Sequence, residues 1–253
     1  MNPPKLSIIT VCFNAEQFIE FTLKSVAEQV NQDFEYLIVD GLSKDNTLEI
    51  IGKFASKFSN LNLISEKDKG LYDAMNKAQR LATGQFIWFL NAGDVIAKND
   101  VVSNILTAIN AGNDLIYSDT VFLNEKREEI GLRSNVTVHK LPKKLNWQDF
   151  KYGMKVCHQS FVVKKEIAPN YLLNNLSADL DWEIACFKFA AAPFLLQNPI
   201  SKYLLGGVSN QKHKESLVGR FRILAKHFGF FNTIFNHFWI LIRSILFKIK
   251  RRQ

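Results

Sequence analysis

Hydrophobic and polar positions alternate between two patterns along the first ninety residues. Short runs rich in Ile, Val, Leu and aromatic residues predict strands over 6–12, 36–39, 61–65 and 85–90, and the run 85–90 has the composition of a strand buried on both faces. Between them apolar residues recur at helical spacing over 16–29, from Asp45 or Asn46 to 58, and over 71–82. Strands that alternate with helices predict right-handed crossovers and a mainly parallel sheet flanked by helices.

The pattern is weaker beyond residue 94. It predicts a helix over 101–109, a strand over 115–117, a charged hairpin over 121–133, a strand over 161–163, an amphipathic helix over 179–189 and a short strand at 195–196. No internal repeat or linker separates these segments before Gln211. We therefore expect one α/β domain over residues 1–210, followed by a tail of different character over residues 211–253.

Composition narrows the class of protein. A chain of 253 residues that is 47% hydrophobic and 22% charged is typical of a folded protein with a large core. Cys12, Cys157 and Cys186 are odd in number and lack ligand-like spacing, which favours neither disulfides nor a zinc site and fits a reducing cytoplasm. The N-terminal apolar run has only the length of a strand, so a secretory signal is not expected.

The excess positive charge lies in the tail. Residues 211–253 contain ten Lys and Arg against a single acid, Glu215, which leaves residues 1–210 with a net charge of −1. From Phe230 onward, apolar side chains form one stripe of a helix and polar side chains the other. This pattern predicts a helix lying on an anionic membrane surface. Packing on a partner and a true span are the alternatives, and Arg243 argues against the span. The aromatic stripe favours lipid, so no nucleic-acid partner is expected.

Three of the first four strands end at or near an acid, namely Asp40, Asp68 and Asp94. Any one of them could cap a helix or form a turn. Because parallel strands end at one edge of a sheet, the three together predict a crevice able to bind a base or ribose and a divalent cation. The chain has no G-x-G-x-x-G after the first strand and no G-x-x-x-x-G-K-[ST], which argues against a dinucleotide dehydrogenase or a P-loop kinase.

Four segments together resemble a known family. SIITVCFN, YLIVDGLSKDNT, SEKDKGLYDAMNKA and GQFIWFLNAGD, in this order and spacing, are similar to the family 2 glycosyltransferases with the GT-A fold, especially the bacterial O-antigen and capsule type. The resemblance covers about residues 5–210. It implies sugar transfer from a nucleotide-diphospho-sugar to a lipid-linked saccharide by a peripheral enzyme at the inner face of the cell membrane. The alternative is a sugar-nucleotide-binding protein with weakened catalysis.

The resemblance also implies roles for particular residues. Nucleotide-sugar contacts are expected from Thr10, Phe13, Asn14, Glu16, Asp40, Asp68, Gly70, Tyr72 and Asn76, with Asp73 and Lys77 nearby. FLNAGD takes the place of the metal-binding DxD motif. There Asn91, Ala92 and Gly93 are expected to contact the donor, and Asp94, the only carboxylate left, to bind Mn²⁺ or Mg²⁺.

The second half of the chain supplies the catalytic candidates. SADLDWEIACF resembles the family segment that carries the base of an inverting transfer, with Asp179 as the base and Asp181 beside it; alternatively Ser177 or Asp179 only caps a helix. CHQS places His158 and Gln159 near the sugars, although an isolated His is more often structural. GGVSNQKH resembles a loop that closes over the diphosphate, with Lys212 and His213 as candidate phosphate contacts, or simply forms a turn.

Overall fold

The computed structural model describes residues 3–206 and 213–250, and its strands form two sheets. In chain order the strands are β1 (Leu6–Cys12), β2 (Glu35–Asp40), β3 (Leu61–Ser65), β4 (Phe86–Phe89), β5 (Val95–Ile96), β6 (Leu115–Tyr117), β7 (Thr120–Leu123), β8 (Glu129–Leu132), β9 (Phe161–Lys164), β10 (Pro193–Leu195) and β11 (Ser201–Leu204). The helices are α1 (Ile19–Ala27), α2 (Thr47–Phe54), α3 (Leu71–Leu81), α4 (Val101–Asn110), α5 (Arg133–Val136), α6 (Ala178–Phe189), α7 (His213–Phe228) and α8 (Phe230–Lys250).

The larger sheet has seven strands in the order β10-β6-β9-β4-β1-β2-β3. The strands β4, β1, β2 and β3 run parallel to one another, whereas β9 lies antiparallel between β4 and β6. The predicted α/β class with a mainly parallel sheet is confirmed. The carboxyl ends of the four parallel strands lie at one edge, and the predicted acids follow these ends.

Both faces of the sheet are covered at β1, β2 and β4, as their continuous burial requires, whereas the edge strand β3 is partly exposed. Successive residues of β1 point to opposite sides: Ile8 belongs to the core beneath α1 and α4, and Ile9 to the core beneath α3 and α6. The second core also contains Ile223 and Leu224 of α7. The first helix of the tail is thus part of the packed domain, while the domain boundary at residue 210 stays a prediction.

The second sheet was not predicted as a sheet. Its strands lie in the order β5-β11-β7-β8, and the turn between β7 and β8 is the tip of the charged hairpin expected over 121–133. β5 has two residues and pairs with β11, which is distant in sequence, so neither strand shows an alternating pattern long enough to recognise. This sheet brings the hairpin turn to the loop that follows β4.

The last helix, α8, exposes its apolar side. Phe231, Phe235 and Phe238 are each 65–76% exposed, whereas Thr233 on the polar stripe is fully buried and Arg243 donates to the Val138 carbonyl (2.6 Å). Over Phe230–Phe247 the mean hydropathy is 1.2, which makes the segment long and apolar enough to cross a membrane, and 6% of it is buried. The polar stripe therefore faces the protein and the apolar stripe faces outward.

Candidate active site

The carboxyl ends of β1 and β2 meet at Asp40, which is fully buried opposite Cys12. Asp40 Oδ2 accepts hydrogen bonds from the Ser43 backbone N–H (3.0 Å) and the Ser65 hydroxyl (2.6 Å), and Oδ1 accepts one from the Ser43 hydroxyl. Asp40 thus holds the turn after β2 from below. The groups that reach the surface at this point belong to its neighbours.

Phe13 and Asp68 form an open corner above Gly41. A Cβ atom placed on Gly41 would lie 2.4 Å from Asp68 Oδ2 and 3.3 Å from Phe13 Cδ2, so both side chains rest on the Gly41 backbone. Asp68 Oδ1 accepts from the backbone N–H of Gly70 (2.8 Å), whose φ of 115° begins α3. Phe13 is 60% exposed. An exposed ring can stack on a planar base, and a carboxylate beside it can accept hydrogen bonds from the N–H groups of that base.

Asn14 and Glu16 tie the loop after β1 to the loop after β2. Asn14, with φ 47°, donates its N–H to the Ser43 hydroxyl (2.8 Å) and accepts the Lys44 N–H (2.9 Å). Glu16 Oε2 accepts both the backbone and side-chain N–H groups of Asn46 (3.0 and 2.8 Å). These contacts shape an open hollow of about 460 Å³ beside the corner.

Two of the expected contacts have partners inside the protein. The Thr10 hydroxyl is fully buried, donates to the Leu90 carbonyl (2.7 Å) and lies 3.0 Å from the Tyr36 hydroxyl. The Asn76 amide donates to the Tyr171 carbonyl (2.9 Å) and accepts the Tyr171 N–H (2.7 Å). The structure places both beneath the crevice, where they hold its walls together.

The segment FLNAGD turns sharply after β4. Ala92 donates its N–H to the carbonyl of the β1 residue Val11 (3.3 Å). Gly93, with φ 102°, reverses the chain so that Asp94 donates its backbone N–H to the backbone carbonyl of Asn91 (3.0 Å). Asp94 is 5% exposed, and this burial raises its pKa to about 7 against the opposing effect of Gln159. The Asn91 side-chain oxygen is buried without a hydrogen-bond partner.

Arg127, which belongs to no recognised motif, reaches this loop from the β7–β8 turn. One of its guanidinium nitrogens donates to the Gly93 carbonyl (3.1 Å), and the other is buried without a partner. The guanidinium lies 3.8 Å from the centre of the Phe21 ring, and its charge acts to lower the pKa of Asp94. The sequence predicts the hairpin but contains no signal for its contact with FLNAGD.

The oxygen atoms at FLNAGD fit a hard cation in part. Asp94 offers a carboxylate and Asn91 offers its unpartnered amide oxygen, both of the kind that Mg²⁺ and Mn²⁺ prefer. No group of three or more His, Cys, Asp and Glu side chains suitable for a metal occurs within residues 3–206 and 213–250. A cation here would need phosphate oxygens or water for the rest of its coordination shell.

His158 and Gln159 lie in a 3₁₀ helix (His158–Ser160) next to β9. The His158 ring stacks on Phe89 (5.5 Å between centroids), and its Nε2 lies 3.2 Å from the Tyr171 hydroxyl. Burial lowers the pKa of His158 to about 3 and raises that of the fully buried Glu183 well above its ordinary value. At 4.0 Å from Nδ1 to Oε1, the two side chains are a neutral pair, not a salt bridge.

Asp179 lies in the first turn of α6 and keeps part of its surface open. Its surroundings raise its pKa through desolvation, although the Leu180 N–H (2.9 Å), Arg220 and the Tyr72 hydroxyl act in the opposite direction. The Tyr72 hydroxyl donates to the Leu176 carbonyl (3.1 Å), which places it at the start of this helix. An accessible carboxylate with a raised pKa is suited to accept a proton near neutral pH.

Asp181 lies on another side of the same helix. Its Oδ1 is 3.0 Å from Lys226 Nζ and 2.7 Å from His227 Nε2, both on α7. Burial acts to raise the pKa of Asp181, but the hydrogen bonds from His227 and Lys226 hold it below its ordinary value. The structure does not bring Asp181 together with Asp179, and its contacts join α6 to α7.

An aromatic layer connects the two ends of the site. The Tyr171 ring stacks on Tyr72 (5.7 Å) and on Trp182 (4.9 Å), and its hydroxyl meets His158, whose neighbour Gln159 contacts Asp94. A continuous chain of buried side-chain contacts therefore links Asp94 to Asp179. The expected closing loop lies largely outside the described residues, as do Lys212 and the His213 side chain.

The sequence of this chain matches known proteins. The family model for glycosyl transferase family 2 matches residues 7–171. A PGL/p-HBAD biosynthesis glycosyltransferase of Mycobacterium bovis is 30% identical over 219 residues, which are 83% of this chain and 81% of the relative. A cholesterol galactosyltransferase of Borreliella burgdorferi is 27% identical over 132 residues, 50% of this chain and 36% of the relative.

Solved structures show the same fold at low sequence identity. S. aureus TarS in complex with UDP-GlcNAc is 19% identical with a TM-score of 0.67, over 91% of this chain and 72% of that one. A mannosyltransferase from Pyrobaculum calidifontis in complex with GDP-Man and Mn²⁺ is 16% identical with a TM-score of 0.65, over 97% and 74%. The GT-A fold implied by the sequence motifs is confirmed.

Proposed function

This chain belongs to glycosyl transferase family 2, and on that premise we propose that it transfers a sugar with inversion from a nucleotide-diphospho-sugar to a lipid-linked saccharide. Asp179 takes the proton of the acceptor hydroxyl as the new C–O bond forms at the anomeric carbon. The bond from that carbon to the phosphate oxygen breaks, and the nucleoside diphosphate leaves with the electron pair. The observation that supports the proposal is the chain of buried side-chain contacts that links Asp94 to Asp179.

The nucleoside is proposed to bind at the corner of Phe13 and Asp68. The exposed Phe13 ring supplies a stacking surface, and Asp68 accepts N–H or hydroxyl hydrogens. Asp40 supports this corner from below through Ser43, and Asn14 and Glu16 fix the adjacent loop. Binding therefore needs little rearrangement of the crevice floor, which favours affinity.

The diphosphate is proposed to bind between FLNAGD and Arg127. The unpartnered guanidinium nitrogen of Arg127 is a charge-assisted donor for a phosphate oxygen. Asp94 and Asn91 would hold a divalent cation, which neutralises charge on the leaving diphosphate when bound. Because both Arg127 and the cation would neutralise the diphosphate, Asp94 alone is proposed to suffice as the protein carboxylate that binds the cation.

The base and the sugar pocket are proposed to lie at the start of α6. The raised pKa of Asp179 makes it a stronger proton acceptor than an exposed carboxylate, and its open surface lets a hydroxyl reach it. His158 is neutral and lies against the Tyr171 hydroxyl and Glu183, so it supports the sugar pocket from within. The uncharged Gln159 is proposed to hydrogen-bond a sugar hydroxyl. Asp181 has no place in this step because α7 engages its carboxylate.

The acceptor is proposed to be presented at a membrane. The outward apolar stripe of α8 matches a helix lying in a bilayer interface, and the basic tail suits an anionic surface. A relative named for cholesterol as its acceptor supports a lipid substrate. We assign the protein to cell-surface polysaccharide synthesis of the O-antigen or capsule type at the cytoplasmic face of the membrane, with residues 211–253 as the attachment.

Two substitutions on the same helix test the proposed base. Asp179→Asn is expected to lower transfer by a factor of about 10²–10⁴ while sugar-nucleotide binding stays near wild type, because general base catalysis contributes that much. Asp181→Asn is the matched control. Its rate of sugar transfer is expected to stay within about threefold of wild type when it is assayed at a temperature at which the variant remains folded. Normal turnover by Asp179→Asn would overturn the assignment.

The second candidate function is sugar-nucleotide binding without effective catalysis, which the thinned DxD motif favours. Radiolabelled donors separate the two functions. If the wild-type chain binds a donor but neither transfers its sugar nor hydrolyses it slowly in the presence of lipid acceptors and Mn²⁺, the binding protein is the better description.

A further inference from the structure

Basic side chains from five separate segments converge behind the start of α6. We call them the basic cluster: Arg133, His139, Lys155, Arg220 and Arg243. The Arg133 guanidinium donates to the Lys155 and Met154 carbonyls (2.7 Å each), and Arg243 donates to the carbonyl of Val138, the residue before His139. The cluster thus joins α5, the loop after it, the segment before the His158 turn, α7 and α8.

The charges of the cluster act on one another. Burial, followed by the positive charges of Arg133, Lys155, Arg220 and Arg243, lowers the pKa of His139 to about 3. Burial and the charges of Arg243 and Arg133 also lower the pKa of Lys155, against a weaker opposing effect of Asp149. The imidazole is therefore neutral, and four cations surround it.

Asp149 acts on Lys155 and Asp179 on Arg220, but neither carboxylate lies within salt-bridge distance of these cations. Arg133 and Lys155 are each only 7% exposed, and across residues 3–206 and 213–250 none of the four cations forms a salt bridge. Burying a charge without an opposite partner costs folding free energy. An anion bound among these cations would offset their desolvation penalty and reduce their mutual repulsion. Arg and Lys together are well suited to phosphate, because guanidinium groups donate in pairs and ammonium acts as a point charge.

The cluster lies between the proposed base and the outward face of α8. Arg220 acts on the pKa of both His139 and Asp179. The Ser177 hydroxyl donates to the Ser216 carbonyl (3.1 Å) and Asn175 to the Gly219 carbonyl (3.1 Å), which fixes Arg220 beside the start of α6. At the other end, Arg243 belongs to the helix whose apolar stripe faces outward. A ligand here would touch the membrane side and the catalytic side at once.

We propose that the basic cluster binds the phosphate of a membrane lipid, as the anchoring phosphate of the lipid-linked acceptor. This rests on the proposed function. The neighbouring saccharide would then extend toward Asp179 while the lipid chain remains with the apolar stripe of α8. The basic cluster is thus proposed to recognise a phosphate monoester or diphosphate at the bilayer surface. An anionic membrane surface without such a group is not expected to bind it equally well.

Vesicle binding by the full chain, without any donor, tests the site. The probes are phosphatidylcholine vesicles, the same vesicles containing phosphatidic acid, and vesicles with phosphatidylserine at matched surface charge. The wild type is expected to bind the phosphatidic acid vesicles at least about tenfold more tightly than the phosphatidylserine vesicles. Arg220→Gln and Lys155→Gln are expected to lose that preference but keep binding to phosphatidylcholine through α8.

Arg222→Gln is the matched control, because Arg222 is an exposed cation on the same helix outside the cluster. It is expected to keep the phosphatidic acid preference. Equal binding to the two anionic vesicles, or equal behaviour of Arg220→Gln and Arg222→Gln, would overturn the proposal. Displacement from phosphatidic acid vesicles by soluble inorganic phosphate at the same phosphate concentration would also overturn it, in favour of a free-phosphate site. Because no sugar transfer is measured, failure here leaves the proposed transferase activity standing, and failure of the Asp179→Asn test leaves the vesicle result standing.

Discussion

Replacing Gly41 by alanine perturbs the proposed nucleoside corner with one methyl group. The new Cβ would lie 2.4 Å from Asp68 Oδ2, whereas ordinary contacts begin near 3.5 Å, so the carboxylate must move by about 1 Å. The Phe13 ring, at 3.3 Å, must shift slightly as well. Asp68 is at the end of a flexible side chain, so we expect the fold to survive.

The expected magnitudes differ for stability and for binding. Losing the Asp68–Gly70 hydrogen bond costs about 0.5–1.5 kcal/mol of folding free energy. Misplacing a charged hydrogen-bond partner of the ligand costs about 1.5–3 kcal/mol, which corresponds to a roughly 10- to 100-fold weaker nucleotide affinity. Gly41→Ala is therefore expected to lose affinity out of proportion to its loss of stability.

Isothermal titration with nucleoside diphosphates, together with thermal melting, measures both quantities. Gly52→Ala is the matched control, because no atom lies within 4 Å of its new Cβ and Gly52 is exposed in α2. We expect Gly52→Ala to gain up to about 1 kcal/mol of stability and to bind nucleotide normally. If folded Gly41→Ala binds as tightly as Gly52→Ala, the corner of Phe13 and Asp68 is not the nucleoside site.

Three further outcomes are expected. Because burial raises the pKa of Glu183, its contribution to the free energy of unfolding is present at low pH and is lost as the pH rises from about 4.5 toward the raised pKa. In urea titrations at several pH values, Glu183→Gln should therefore reduce the fall in unfolding free energy by up to about 1.4 kcal/mol per pH unit. An unchanged dependence of unfolding free energy on pH would contradict this. EDTA should weaken sugar-nucleotide binding more in Arg127→Gln than in the wild type, because both positive groups serve the diphosphate; equal losses would argue against a role for Arg127. Changing Phe231, Phe235 and Phe238 to Ser should abolish liposome flotation without altering donor binding, and persistent flotation would exclude the α8 stripe as the membrane contact.

The sequence predicted the parallel half of the sheet well because each strand there is a continuous apolar run. The expected segments 6–12 and 61–65 coincide with β1 and β3, and the run at 85–90 contains β4. β1 and β4 are buried along their whole length, which their local composition displays in a single sequence, whereas β3 is a partly exposed edge strand. The family motifs include these strands and the residues at their carboxyl ends. The same residues therefore allowed the GT-A fold to be predicted.

The features that the sequence could not predict depend on long-range contacts. β5 and β11 pair across about a hundred residues, and Arg127 reaches Gly93 only because of that second sheet. The inward direction of the polar stripe of α8 depends on the burial of Thr233 and on the hydrogen bond from Arg243 to the Val138 carbonyl. Asp181 has the same sequence signal as Asp179, and only the position of α7 separates their surroundings.

Binding of UDP-, GDP- and dTDP-sugars, with and without Mn²⁺, tests most directly whether the carboxyl edge of the sheet holds an activated sugar. We predict that one sugar nucleotide binds the wild-type chain, that its own nucleoside diphosphate displaces it, and that Asp68→Asn combined with Asp94→Asn reduces its affinity by at least about 100-fold. Undiminished binding by a folded double variant, or no binding of any of these donors to the wild type, would contradict the central claim.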